Sequence, residues 1–197
     1  MARHRLTILE AELSTPAIGL ALGLSPDEVI RKFSDPRVTS WFAEIWGERL
    51  FRYKAHDSSN HPGSDAQVEL GALGRFDISV RCFNRNTIKF QKSKFIGSGR
   101  SATLEDLIES VESVERVVVV DLRRWPKLRF VPLDSKPLLR LIRLGRLTPT
   151  GISPNRFDTW LATSFDIAVR QTTLEDASAL PSPPAATRPA RPADLFG

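Results

Sequence analysis

The chain of 197 residues is long enough for one ordinary domain with an appendage. Hydrophobic residues make up 41% of it, which is enough to bury a core, so we expect a folded rather than a disordered or fibrous protein. The single cysteine, Cys82, excludes an intramolecular disulfide and a cysteine-based zinc cluster. No apolar run approaches the ~20 residues that cross a bilayer and no signal-peptide pattern follows Met1, so we expect a cytoplasmic protein without a membrane partner.

Positive charge is concentrated in two segments. The chain has 28 Lys and Arg against 23 Asp and Glu, a net charge of +5, but residues 75–100 hold seven cations against one Asp, and residues 123–146 hold eight against one. Residues 101–122, between them, hold six acids against one Arg. A segregated positive surface is typical of proteins that bind a phosphate backbone, so DNA is the predicted partner. The alternative is that these charges only solvate two surface elements.

Near the N-terminus, the pattern predicts two short helices joined by a tight turn. Gly23 can take the left-handed conformation that ends a helix, and Ser25 and Pro26 cap and begin the next one. This resembles a helix-turn-helix motif, which implies that the second helix presents its outward residues to a DNA groove. Those residues are Asp27, Glu28, Arg31 and Lys32. A two-helix packing unit without a DNA-reading role remains the alternative.

A helix from Asp35 that carries Glu48 is followed by strand signals, the first of which predicts a short strand at residues 67–70. Apolar and polar residues alternate from Arg75 to Phe83, which predicts a strand. Residues 87–94 are predicted to form a second, antiparallel strand after a turn, so the two strands make a β-hairpin. In this hairpin Val80 pairs with Phe90, and Asp77, Lys89 and Gln91 share the polar face.

Further elements follow the hairpin. They are a helix opening at Thr103, strands at Val117–Val120 and Leu128–Leu133, and helices at 137–144 and 154–162. The fold class is therefore α/β (α+β), a mixed β-sheet with a central hairpin flanked by helices. We divide the chain into an N-terminal helical segment, residues 1–35, an α/β core, residues 36–170, and a disordered tail rich in Pro and Ala, residues 171–197.

A glutamate-bearing helix, a hairpin with an acid near the start of its first strand, a helix and a buried strand together resemble the core of the PD-(D/E)xK nuclease superfamily. The resemblance implies a Mg²⁺-dependent endonuclease of restriction, recombination or repair. It places Asp77, Gln91 and Glu48 around Mg²⁺ and Lys89 near the scissile phosphate. An alternative alignment takes Asp65 as the first acid and Ser79-Val80-Arg81 as the second motif. A non-catalytic DNA-binding or assembly factor with the same fold remains the alternative function.

The remaining predictions concern binding partners. Phosphate contacts are expected from basic residues of the two positive segments, namely Arg81, Lys92, Lys94, Arg100, Arg123, Arg124, Lys127 and Arg129. The tail residues Asp194, Leu195 and Phe196 resemble the end of peptides that bind a sliding clamp, although Pro192 stands where such peptides usually have Gln. The alternative is that these C-terminal residues have no binding role. Two further possibilities remain: the protein forms a homodimer, or it is an adaptor that binds an acidic protein.

Overall fold

The computed structural model describes residues 4–35, 45, 47–51, 53–56, 64–69, 75–83, 86–91 and 103–172. The strands are β1 (His4–Glu12), β2 (Tyr53–Ala55), β3 (Ala66–Glu69), β4 (Arg75–Phe83), β5 (Arg116–Arg124), β6 (Lys127–Asp134) and β7 (Phe165–Thr172). The helices with described bounds are α1 (Thr15–Leu22), α2 (Pro26–Lys32), α3 (Leu104–Glu112), α4 (Ser135–Arg143) and α5 (Pro154–Ser164).

All seven strands form one mixed sheet in the order β2-β3-β4-β5-β6-β1-β7. Neighbours are antiparallel except for the pairs β4–β5 and β1–β7, which are parallel. A parallel pair needs a crossover long enough to return the chain to the same end of the sheet, and α3 lies in the crossover between β4 and β5. The predicted class, a mixed α/β fold, is confirmed.

Strand β5 is buried on both faces, as its run of four valines predicts. Val117 and Val119 belong to one apolar core, which also contains buried residues of α3, α4 and α5. Val118 and Val120 belong to a second core on the opposite face, against which Ile18 of α1 and Leu50 pack. We call these the α3 side and the α1 side of the sheet. Burial of β5 between them explains why helices cover both faces.

The two predicted N-terminal helices are present as α1 and α2. Gly23 ends α1 with a φ of 67°, and the Ser25 hydroxyl accepts a hydrogen bond from the Glu28 amide while the Glu28 carboxylate accepts one from the Ser25 amide. The hydrogen bonds that the Glu28 carboxylate accepts from the Ser25 amide and, to a smaller extent, from the Ser25 hydroxyl lower the pKa of Glu28. A Cβ atom at Gly19 would overlap the Leu24 carbonyl oxygen, so the absence of a side chain lets the turn pack directly against α1.

The N-terminal segment also contains a strand that the sequence analysis missed. Residues 4–12 form β1, which lies between β6 and β7 in the sheet. Residues 1–35 therefore do not form a purely helical segment outside the core. Leu6 and Ile8 are buried on the α3 side, and this burial holds β1 in place.

The predicted hairpin between residues 75–83 and 87–94 is wrong. Strand β4 has β3 as its antiparallel neighbour and β5 as its parallel neighbour, and Val80 is opposite Val118 rather than Phe90. Described residues 86–91 contain no strand, and Ile88 instead forms an isolated bridge with Ile152. The physical reason is that Ile88 and Phe90 are buried in the α3-side core as side chains of a loop.

The remaining predicted elements have mixed outcomes. The strand near Gln67, the strands at β5 and β6, and the helices at α3, α4 and α5 are confirmed. The sequence analysis also missed β7, which extends past the predicted core boundary at residue 170. The predicted returning strand beyond residue 91 and the tail beyond residue 172 lie outside the described residues.

The contact between Gly19 and the turn can be tested by mutation. We expect Gly19→Ala to lower the free energy of unfolding by about 1–3 kcal/mol, because the added methyl group displaces the Leu24 carbonyl by more than the gain in helix propensity compensates. Urea unfolding of the full chain measures the change. The control is Leu20→Ala on the same helix, where an 87% exposed side chain predicts a change within about 0.5 kcal/mol. Equal effects of the two variants would contradict the packing described.

Candidate nucleic-acid interface

A strip of polar side chains lies on the α3 side of strands β3 and β4. Because Ile78 and Val80 belong to the α1-side core, the alternating residues Asp77, Ser79 and Arg81 point to the opposite face. The predicted polar face of β4 therefore exists. Its partners on the neighbouring chain segment are Asp65 and Gln67, not Lys89 and Gln91.

Asp77 forms hydrogen bonds with residues close to it in the structure. Its Oδ1 atom accepts hydrogen bonds from Gln67 Nε2 at 2.8 Å and from Ser64 Oγ at 3.3 Å. Its backbone amide donates to the Glu115 carboxylate at 2.6 Å. The Ser64 hydroxyl also contacts His56 Nε2 at 2.7 Å. These bonds join β3, β4 and the segment that leads into β5.

Asp65 organises the adjacent part of the strip. Its Oδ2 atom accepts hydrogen bonds from Ser79 Oγ at 2.8 Å, from the Val80 amide at 2.7 Å and from Arg81 Nη1 at 2.9 Å. Arg81 is only 7% exposed, and its Nε atom donates to the Phe90 carbonyl at 3.3 Å. The Arg81 side chain is therefore buried while its ion-pair partner Asp65 is 43% exposed, and Arg81 would have to give up these bonds to contact a phosphate.

The predicted magnesium ligands do not meet. Gln91 is fully buried, and its Nε2 atom donates to the Pro149 carbonyl at 2.5 Å, whereas Asp77 bonds to Ser64 and Gln67. The chain next to Gln91 contacts β4 at Arg81, about 13 Å along the strand from Asp77.

The other two predicted catalytic residues are also separated from Asp77. Helical residues 47–51, which include Glu48, supply Leu50 and Phe51 to the core on the α1 side, across the sheet from Asp77. Lys89 is exposed on the loop before Phe90. Within the described ranges, no three His, Cys, Asp or Glu side chains are grouped so that they could hold a metal ion.

Two of the predicted phosphate contacts are paired with carboxylates. Arg123 Nη2 lies 2.6 Å from Asp121 Oδ2 and 2.7 Å from Asp158 Oδ2, while Arg129 Nη1 lies 2.9 Å from Asp158 Oδ1. Arg129 also lies 3.8 Å from Asp121. The hydrogen bonds that Arg123 donates to the Asp121 carboxylate raise the pKa of Arg123, and the bond that it donates to Asp158 makes a smaller contribution. We call these four residues the arginine–aspartate cluster; it ties β5 and β6 to α5.

The remaining predicted basic contacts are dispersed. Arg124 and Lys127 are exposed at the turn between β5 and β6, where Lys127 Nζ lies 3.6 Å from Glu12. Arg31 and Lys32 are exposed in the last turn of α2. Outside the described residues lie Lys92, Lys94 and Arg100, and also Asp194, Leu195 and Phe196 of the predicted clamp-binding peptide.

Helix α4 carries a row of basic residues that the list of predicted contacts omitted. Lys136, Arg140 and Arg143 are exposed at positions i, i+4 and i+7, and exposed Arg146 follows the helix. We call these four residues the α4 basic row. None of them forms an ion pair with another residue of the described part of the chain. Their helical spacing within residues 123–146 was the available sequence signal.

The helix beside α4 has the opposite charge. Helices α3 and α4 pack against each other, and the exposed face of α3 carries Glu105, Glu109 and Glu112, again at i, i+4 and i+7. The α4 basic row is thus bordered on one side by three carboxylates. The two helices therefore present opposite charges side by side, so an anion near them would be attracted by α4 and repelled by α3.

Comparison of the chain with protein-family models, curated proteins and solved structures found no match. No helix in the described ranges has the length and apolar character that a membrane span needs.

The arginine–aspartate cluster predicts a measurable contribution to stability. We expect Asp121→Asn to lower the free energy of unfolding by about 2–3 kcal/mol, since it leaves two guanidinium groups, each about a quarter exposed, around one carboxylate. The control is Asp134→Asn, which removes an exposed ion pair with Arg116 and is expected to cost at most about 0.5 kcal/mol. Urea unfolding of both variants provides the comparison, and a similar loss for both would show that the cluster contributes no more than a surface pair.

Proposed function

We propose that the protein binds nucleic acid through the α4 basic row and that this binding needs no metal ion. The observation that carries the proposal is a line of four exposed cations without a carboxylate partner in the described part of the chain, within the segment of highest positive charge. Lys and Arg side chains that neutralise phosphates release condensed counterions, which drives such binding.

The dimensions of the row agree with a phosphate backbone. Lys136 and Arg143 are seven residues apart on α4, which corresponds to about 10 Å along a helix axis. This distance is close to the rise of about three nucleotides of one DNA strand. The row contains only Lys and Arg, which contact phosphates without distinguishing bases unless they enter a groove. The expected binding is therefore largely independent of sequence.

The two sets of basic residues have different roles in this proposal. Arg123 and Arg129 are held by Asp121 and Asp158 and would have to give up these partners to contact a phosphate. The α4 basic row has no such cost. The arginine–aspartate cluster instead fixes β6, whose last residue, Asp134, leads directly into α4, and so supports the position of the row.

Endonuclease activity is the second candidate. The observation in its favour is that Asp65, Ser79 and Arg81 meet on one face with Asp77 nearby, as the alternative nuclease alignment expects. However, one oxygen of each carboxylate already accepts hydrogen bonds from cationic or neutral donors. Such donors compete with Mg²⁺, which prefers carboxylate and carbonyl oxygens and water. The described donor set therefore does not fit the ion well, and we derive no catalytic step from it.

The role of the α4 basic row can be tested by a double substitution. We expect Arg140→Gln with Arg143→Gln to weaken binding of a fluorescent 30-base-pair duplex by about ten- to a hundredfold at low salt, and to reduce the slope of log Kd against log salt by about two. Fluorescence anisotropy at several salt concentrations measures both quantities.

The matched control removes two charges elsewhere. Arg31→Gln with Lys32→Gln on α2 is expected to leave the affinity within about twofold. An equal loss of duplex affinity in this control would favour the helix-turn-helix interpretation. Weak duplex binding without salt dependence in the parent protein would favour an adaptor that binds an acidic protein.

A cleavage assay separates the two candidate functions. We expect supercoiled plasmid to be bound equally in EDTA and in Mg²⁺ or Mn²⁺ and to remain uncut, because the predicted metal ligands Asp77 and Gln91 are apart. Gel electrophoresis shows binding and nicking together. Metal-dependent nicking that is lost in both Asp65→Ala and Asp77→Ala would contradict the proposal and support an endonuclease.

A further inference from the structure

Strand β7 lies at one edge of the sheet that the described strands form. It pairs with β1 on one side and has no further neighbour among the described strands. It is eight residues long, whereas β2 at the opposite edge has only three. The unpaired backbone groups of a long edge strand are a template for another strand, and proteins either protect such an edge or use it.

The side chains of β7 are arranged so that the strand complements itself. Asp166 and Arg170 are exposed, and neither forms an ion pair with another described residue. They lie two residues before and two residues after Ala168. Ile167 and Val169 lie directly on either side of Ala168, and the Val169 side chain is 53% exposed. Within two residues of Ala168, opposite charges thus stand at equal distances on the two sides, and so do two hydrophobic residues.

We propose that β7 pairs antiparallel with β7 of a second copy of the chain, with the two-fold axis at Ala168. In this register Asp166 of each copy lies opposite Arg170 of the other, and Ile167 lies opposite Val169. Directly opposed residues in an antiparallel pair have Cβ atoms about 4.5–5.5 Å apart, close enough for both kinds of contact. Two charge pairs and two apolar pairs form at once.

Neighbouring symmetric registers do not provide these contacts. With the axis at Ile167, Asp166 would lie opposite Ala168; with the axis at Val169, Arg170 would lie opposite Ala168 and Ile167 opposite Gln171. Only the register centred on Ala168 places both charges opposite their complements. The side chains therefore specify the pairing as well as permitting it.

The dimer has a defined consequence for the shape of the assembly. A two-fold axis between antiparallel edge strands runs perpendicular to the sheet, so each face of one copy continues as the same face of the other. Phe165 and Ile167 pack against the α3-side core, and α4 contributes to that core. Both α4 basic rows therefore lie on the same side of the continuous sheet. The pairing itself does not depend on nucleic-acid binding.

Charge reversal tests the proposal with the full chain. We expect the parent protein to show a concentration-dependent monomer–dimer equilibrium by sedimentation equilibrium. Asp166→Arg and Arg170→Asp should each raise the dimer Kd by about tenfold or more, because each places like charges opposite each other at two sites. The double variant, Asp166→Arg with Arg170→Asp, should restore the parent Kd to within about threefold.

A matched control and a cross-link complete the test. Asp27→Arg makes the same charge change on α2, away from β7, and should leave the Kd unchanged. Ala168→Cys should yield a covalent dimer with a short thiol–thiol cross-linker. The parent protein should not, and neither should Ala21→Cys, which places the thiol at an exposed position of α1. A monomeric parent protein, or a double variant that fails to restore dimerisation, would overturn the proposal. Loss of nucleic-acid binding alone would not.

Discussion

The burial of β5 on both faces is the constraint from which the rest of the architecture follows. A strand with apolar side chains on both sides is stable only if each face of the sheet is covered, because otherwise half of its valines would contact water. Helices α3, α4 and α5 cover one face, and α1 with residues 47–51 covers the other. The parallel pairing of β4 with β5 places α3 in the crossover between them, and α4 packs beside α3. The acidic and basic rows are adjacent for this reason.

Two groups of described cations differ in their partners. Where a guanidinium group is partly buried, it has a carboxylate partner, as with Arg81 and Asp65 or Arg123 and Asp121. This is expected because an unpaired charge away from water is costly. Where the cations are exposed on α4, no described carboxylate neutralises them. Within residues 123–146, the exposed cations without a described carboxylate partner are therefore Arg124 and the α4 basic row, and charge counting along the sequence does not reveal this division.

Local patterns predicted local structure, and they failed where distant segments decide. Thr103 as a helix cap, the valine run of β5 and the basic helix α4 were predictable because each signal lies within the element itself. The partner of β4 was not predictable in this way, since residues 75–83 could pair with either flanking segment, and the burial of Ile88 and Phe90 in the core decided between them. The predicted site at Asp77 and Gln91 depended on that pairing and was lost with it. Strands β1 and β7, from opposite ends of the chain, pair with each other and gave only weak local signals.

The polar strip on β4 illustrates why residue types alone do not establish a catalytic site. Asp65 accepts hydrogen bonds from Ser79, the Val80 amide and Arg81, and these bonds join the start of β3 to β4 just beyond the last paired residues. Each bond satisfies a donor that is buried or nearly so, and a buried donor left unbonded is costly. A carboxylate that already stabilises the sheet in this way can bind a metal ion only by giving up those bonds. The same residues that resemble a nuclease motif therefore have a sufficient structural explanation, whereas the exposed cations of α4 form no ion pair with any other described residue.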